Sequence, residues 1–74
     1  MLRSLGAFAP AVLVTETPVV LIVEEDSVLR SAFAKRLRAA GFAVIEAPNS
    51  AEAQQILEST VVDALLSDLP KPAK

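Results

Sequence analysis

The pattern of apolar and polar positions along the chain predicts three strands that alternate with two helices. The first strand is the run 19–23, in which β-branched and aliphatic residues follow one another until three carboxylates end it. An uninterrupted apolar run of this length is typical of a parallel strand that is buried on both faces. The runs 42–45 and 61–67 predict the second and third strands, with Ala64, Leu65 and Leu66 as the buried centre of the third.

Between these runs, apolar residues recur three and four positions apart, which predicts helices over about 28–40 and 50–59. Ser27 is the expected N-cap of the first helix, and Gly41 its stop. Asn49 precedes Glu52 by three residues, which has the form of a capping box at the start of the second helix. The residues predicted to face the sheet are Leu29, Ala32, Phe33, Leu37 and Ala40 in the first helix and Ala53, Ile56 and Leu57 in the second.

The order of strand, helix, strand, helix, strand predicts an α/β fold, a three-stranded parallel sheet with two crossover helices (βαβαβ). Crossovers between parallel strands are right-handed, and two of them here place the first strand in the middle of the sheet. The carboxyl ends of the first and third strands then lie side by side. We therefore expect Glu25 and Asp68, which follow these two strands, to face each other at this end of the sheet. The space between them is called the mouth.

Composition restricts the chemistry that this mouth could perform. The chain has 74 residues, a hydrophobic content of 53% and a net charge of −2, which fits one small globular domain without a nucleic-acid partner. It contains no Cys and no His, so thiolate, disulfide, imidazole and common zinc-site chemistry are absent. Carboxylates, hydroxyls and lysines remain, and the absence of Cys fits a cytoplasmic location.

Two further segments have competing interpretations. Residues 1–17 form an N-terminal extension ahead of the domain 18–74; its apolar run resembles a signal peptide only weakly, because Pro10 interrupts it, and it is too short to span a membrane. An edge strand over 11–14, a loose extension or a start site assigned too far upstream are the preferred explanations. The basic side of the first helix is either a solvated face or a docking surface for an acidic partner; it comprises Arg30, Lys35, Arg36 and Arg38.

Carboxylates at the mouth form the candidate site. Three acids that converge on one point need a counter-ion, and a hard cation such as Mg²⁺ suits oxygen ligands. Asp68 is placed to attack a phosphoryl group and form an aspartyl phosphate. The alternatives are that Glu24, Glu25 and Asp26 only end the strand and charge the helix start, and that Asp68 is an ordinary turn residue.

The joint spacing of several segments resembles the receiver domain of response regulators in two-component signalling, from about Pro18 to Pro72. The matching segments are Leu21-Ile-Val-Glu-Glu-Asp-Ser-Val-Leu-Arg30, Gly41-Phe-Ala-Val-Ile-Glu-Ala47, Ala51-Glu-Ala53 and Asp63-Ala-Leu-Leu-Ser-Asp-Leu69. The resemblance implies a phosphorelay module that is not itself an enzyme, located in the cytoplasm, with Asp68 as the phosphoacceptor. Implied Mg²⁺ ligands are Glu24, Glu25, Asp68 and the backbone carbonyl of Pro70. Implied partners are a sensor histidine kinase or a phosphotransfer protein.

The chain also departs from the receiver pattern. Glu25 stands where the family has Asp, Pro70 and Lys71 follow the acceptor in place of more usual residues, and the sequence ends at Lys74 before two further strands and three helices. We therefore expect weak or absent Mg²⁺ binding and a truncated doubly wound fold. The alternative function is a degenerate or truncated receiver fragment that only binds proteins, through self-association or the missing half at the open edge of the third strand, or that has no activity.

Overall fold

The computed structural model describes residues 17–69. Its elements are β1 (Val19–Val23), α1 (Ser27–Ala39), β2 (Ala43–Ala47), α2 (Ser50–Ser59) and β3 (Ala64–Leu66). All strand pairs are parallel, and the order in the sheet is β2-β1-β3. The α/β fold and the central position of the first strand, both predicted from the sequence, are confirmed. The edge strand suggested for 11–14 lies outside the described residues.

The central strand supplies side chains to two separate apolar clusters, because alternate residues of a strand point to opposite faces. On the face covered by α1, the buried residues are Val20, Ile22, Ala34 and Leu69; on the face covered by α2, they are Leu21, Ala47 and Ala53. Leu21 and Ile22 are fully buried. Each such side chain contributes about 1.5–3 kcal/mol through removal of apolar surface from water. The sheet is therefore sandwiched between helices, one on each face.

The start of α1 differs from the sequence prediction, since Asp26 and not Ser27 is its N-cap. One carboxylate oxygen of Asp26 accepts hydrogen bonds from the amides of Val28 at 3.0 Å and Leu29 at 3.1 Å. Asp caps helices as well as Ser does, and its negative charge also suits the positive end of the helix dipole. Gly41 follows the helix with φ of 101°, a left-handed conformation that glycine adopts without strain, as its predicted role as a stop requires.

The packed face of α1 also differs in part from the prediction. Leu29, Phe33 and Leu37 pack against the sheet as expected. Ala32 and Ala40 are exposed, and Ala34 is fully buried instead. Ala40 is the C-cap, one residue past the end of α1, and so lies outside the helical stripe. Ala34 replaces Ala32 because the helix is rotated about its axis relative to the predicted orientation.

Two strands have boundaries that the sequence did not predict. The second strand begins one residue later and continues through Glu46 to Ala47, because its register with β1 pairs Val19 with Ala43 and Val23 with Ala47. The third strand is only Ala64–Leu66 and not 61–67. Before it, the Asp63 carboxylate accepts a hydrogen bond from the Val19 amide at 2.7 Å, and this contact joins the starts of β1 and β3.

The predicted buried centre of the third strand is wrong. Ala64 and Leu65 are exposed, and Leu66 is half-buried. Only β1 pairs with β3 within residues 17–69, so one edge of β3 is open. Its side toward α2 is uncovered as well, because α2 packs on β1 and β2 but not on β3.

The second helix follows its predicted start. The amide of Glu52 donates a hydrogen bond to the Asn49 side-chain oxygen at 2.9 Å, which confirms Asn49 as the cap. Ala53 is buried and Ile56 is half-buried, whereas Leu57 was predicted to be buried and is 47% exposed. Within the described part of the chain, no helix has the length and apolarity to cross a membrane.

Candidate functional site

The carboxyl ends of β1 and β3 and the start of α2 border an open cavity of about 400 Å³. The sheet is doubly wound, and its strand order reverses at this point, where α/β proteins generally bind ligands. The residues that line the cavity are Val23, Glu24, Glu25, Pro48, Asn49, Ser50, Ser67 and Asp68. Three acids that the sequence assigns to the site therefore lie around one cavity.

The three consecutive carboxylates after β1 have different environments. The Glu24 side chain is buried, and its Oε2 accepts a hydrogen bond from the Asp26 amide at 3.0 Å. Its own amide donates to the Ala47 carbonyl at 3.0 Å, which extends the pairing of β1 and β2 by one residue. Asp26 caps α1, and Glu25 is exposed. Asp26 is exposed too, but of these two exposed acids only Glu25 lines the cavity.

The described residues do not form a ready metal centre. Among residues 17–69, no group of three Asp or Glu side chains is placed so that it could hold a metal ion. Glu24, Glu25 and Asp68 line one cavity, and one carboxylate oxygen of Glu24 accepts a hydrogen bond from the Asp26 amide. Pro70 lies outside the described residues. The Mg²⁺ ligand set implied by the sequence therefore stays a prediction.

Arg30 fixes the position of the acidic loop. Its Nη1 donates a hydrogen bond to the Glu24 carbonyl at 2.7 Å, and its Nε pairs with Glu46 Oε1 at 3.2 Å. Arg38 pairs with the other Glu46 oxygen at 3.3 Å and donates to the Val44 carbonyl at 3.0 Å. This network connects α1, β2 and the loop after β1.

This network was not predicted from the sequence, because the predicted second strand ended at residue 45, before Glu46, and Arg30 was placed on a solvated or docking face. The structure places Glu46 inside β2 on the side toward α1, where it meets both arginines. Lys35 and Arg36 are the basic residues of α1 that remain exposed outside these pairs. The available signal was the period-two pattern, which puts Val44 and Glu46 on one face of a strand.

We expect Arg30→Met to lower the free energy of unfolding by about 1–3 kcal/mol, because the half-buried guanidinium bonds a backbone carbonyl and a carboxylate together. Arg38→Met should cost at most about 1 kcal/mol, since the Arg38 side chain is 52% exposed and that of Arg30 only 18%. Urea denaturation followed by circular dichroism measures both, with Arg36→Met as the exposed control. Equal losses of unfolding free energy in Arg30→Met and Arg38→Met would contradict the role of Arg30 in fixing the acidic loop.

Asp68 adopts an unusual backbone conformation immediately after β3. Its φ is 53°, in the left-handed region that Asp enters more readily than most residues with a side chain. The turn sends the chain back toward the sheet, and the next residue, Leu69, is buried in the cluster beneath α1. Asp68 itself is exposed and lines the cavity. The buried leucine thus holds the exposed carboxylate at the mouth.

Substitution of Asp68 should affect stability through its backbone conformation. We expect Asp68→Ala to lower the free energy of unfolding by about 1 kcal/mol, because a left-handed residue with a Cβ and no polar side chain is strained. Asp68→Asn should be close to neutral, and Asp68→Gly neutral or stabilising by up to about 1 kcal/mol. Thermal and urea unfolding of the three variants measures the series. If the Asp68→Ala variant were as stable as the Asp68→Gly variant, residue 68 would not have a left-handed conformation in solution.

Comparison with known proteins found no family model, no curated protein and no solved structure that matches this chain. The class of the protein is therefore defined by its own architecture, a doubly wound three-stranded α/β sheet with an acid-lined cavity at its switch point.

Proposed function

We propose that the chain is a receiver-like phosphorelay module in which Asp68 accepts a phosphoryl group. The observation that carries the proposal is the position of Asp68: an exposed carboxylate, at the carboxyl end of β3, that lines the switch-point cavity with Glu24 and Glu25. Its left-handed backbone is a second indication, because strained residues cluster at functional sites. The sequence resemblance to receiver domains supports the same residue.

The surroundings of Asp68 suit attack on phosphorus. Asn49 and Ser50 border the cavity, so the N-terminus of α2, with its positive dipole end, is directed at the space where a phosphoryl group would sit. In the proposed step, a carboxylate oxygen of Asp68 forms a bond to phosphorus while the bond to the donor breaks. The donor leaves with the electron pair of that bond.

The balance of charge at the mouth limits this reaction. Glu24 and Glu25 repel an anionic donor, and the Lys and Arg of residues 17–69 all lie on α1, where Arg30 is already bonded to the Glu24 carbonyl and to Glu46. We therefore propose that transfer is slow in the isolated chain and that a sensor histidine kinase or a phosphotransfer protein supplies the phosphoryl group. In this proposal the chain is a relay component, not an enzyme, and works in the cytoplasm.

Incubation with acetyl phosphate and Mg²⁺ should yield at most a trace of an acid-stable, base-labile phosphoprotein, detected by intact mass spectrometry. Asp68→Asn should abolish the adduct, because it removes the nucleophile while its amide tolerates the same backbone conformation. Asp26→Asn is the matched control, since Asn preserves the helix cap. An adduct that survives Asp68→Asn and disappears in Asp26→Asn would move the acceptor to Asp26.

A second candidate function, protein binding without phosphotransfer, is favoured by one observation. The open edge of β3 carries the exposed side chain of Leu65 beside the exposed Leu57 of α2. Such a surface recruits a partner independently of Asp68.

A further inference from the structure

The face of the sheet that carries α2 is incompletely covered. A groove of about 450 Å³ lies between α2 and β3, and its residues are Val23, Ser50, Ala53, Gln54, Leu57, Glu58, Leu65 and Ser67. Two large apolar side chains form its sides, Leu57 at 47% exposure and Leu65 at 54%. Both remain half in water in the described chain.

The dimensions of the two layers explain why the groove is there. Strands in a sheet are about 4.8 Å apart, whereas packed helices need about 8–10 Å. One helix therefore covers about two strands, and α2 packs on β1 and β2 while β3 stays bare. A further helix lying beside α2 would cover β3 and extend past its open edge. A bound strand is less suitable, because β3 is only three residues long and offers few ladder hydrogen bonds.

The charge around the groove is of one sign. Val23, Ser50 and Ser67 border both the groove and the acidic mouth, so the two spaces are continuous. The charged residues that line them are all acidic, namely Glu24, Glu25, Glu58 and Asp68. Within residues 17–69, the elements β1, α2 and β3 contain no Lys or Arg, and every basic residue belongs to α1; none of them lines the groove or the mouth, although Arg30 bonds the Glu24 carbonyl from the α1 side.

We propose that this groove binds an amphipathic, basic helix of a partner protein. The apolar side of that helix packs between Leu57 and Leu65, and its Lys or Arg side chains reach Glu58 and the acidic mouth. Residues 17–69 of a second copy supply no such helix, because the apolar sides of α1 and α2 already pack on its own sheet. The proposal is independent of phosphotransfer at Asp68.

The test uses the 74-residue chain and two model peptides about 18 residues long, long enough to form a helix. Both carry Leu at positions i, i+3, i+4 and i+7; the remaining positions are Lys and Gln in one and Glu and Gln in the other. We expect the Lys peptide to shift the amide resonances of Gln54, Leu57, Glu58 and Leu65 in ¹⁵N-labelled protein. The Glu peptide should not bind. Equal binding of the two peptides, or shifts centred on α1, would overturn the proposal.

Surface variants separate docking from a loss of folding. Leu57→Gln and Leu65→Thr should each weaken binding of the Lys peptide about tenfold. Val28→Thr is the control, since Val28 is 78% exposed and lies on α1 outside the groove, and should change the affinity less than twofold. Unchanged affinity in both groove variants contradicts the proposal. Analytical ultracentrifugation adds one outcome: a wild-type dimer that becomes monomeric in Leu57→Gln would show that a second copy occupies the groove.

Discussion

Replacement of Leu21 by Ala is expected to lower the free energy of unfolding by about 2–5 kcal/mol, which is a large part of the stability of a small domain. Leu21 is fully buried at the centre of β1 and packs under α2 with Ala47 and Ala53. Truncation removes apolar contacts and leaves a cavity that the rigid sheet can fill only partly. Urea unfolding monitored by circular dichroism measures the loss.

The matched control is Leu65→Ala, because Leu65 is the register partner of Leu21 on the neighbouring strand. The two residues have the same side chain, yet Leu21 is 0% exposed and Leu65 is 54% exposed. We expect the Leu65 variant to lose at most about 1 kcal/mol. Similar losses for the pair would mean that Leu65 is covered in solution, which would point to an occupied groove.

Leu69→Ala should have the second-largest effect, about 2–4 kcal/mol, although this residue lies beyond the last strand. Leu69 is only 4% exposed and belongs to the cluster with Val20, Ile22 and Ala34. Because Leu69 follows the left-handed Asp68, its removal should also release the end of β3. The amide resonances of Ser67 and Asp68 should then broaden or shift in spectra recorded well below the unfolding midpoint.

Leu66→Ala provides the comparison for this second effect. Leu66 packs against the same cluster and is half-buried, but it lies within β3 and before the turn. We expect a smaller loss of stability, about 1–2 kcal/mol, with the signal of Asp68 nearly unchanged. If both variants changed the Asp68 signal to the same extent, Leu69 would have no specific part in holding the mouth.

The topology could be predicted from sequence because it depends on a few strong rules. An apolar run located β1, apolar periodicity located both helices, and a doubly wound arrangement of two right-handed crossovers placed β1 at the centre, as the sheet order confirms. The length of β3 could not be predicted in this way. Residues 61–67 are mostly apolar, but within residues 17–69 the pairing with β1 includes only Ala64–Leu66.

The candidate site could be predicted in its residues and not in its geometry. Topology was enough to bring Glu24, Glu25 and Asp68 to one cavity. Which acid caps the helix, and which is directed to an amide, depends on the dihedral angles of a three-residue loop, and these leave no periodic pattern in the sequence. The same limit applies to Arg30 and Glu46, whose pairing spans 16 positions along the chain.

The attachment of β3 also bears on the order in which the molecule assembles. β1, α1 and β2 form one continuous crossover unit, whereas the contact between Val19 and Asp63 closes a separation of 44 positions. Closure of such a long loop carries an entropic cost that is recovered only when β3 docks, so non-local pairing of this kind forms late. Asp68 follows β3 directly, so its carboxylate reaches its position only when that strand docks. We therefore expect the acid-lined cavity to form in the last stage of folding and to be lost early when the edge of the sheet opens locally.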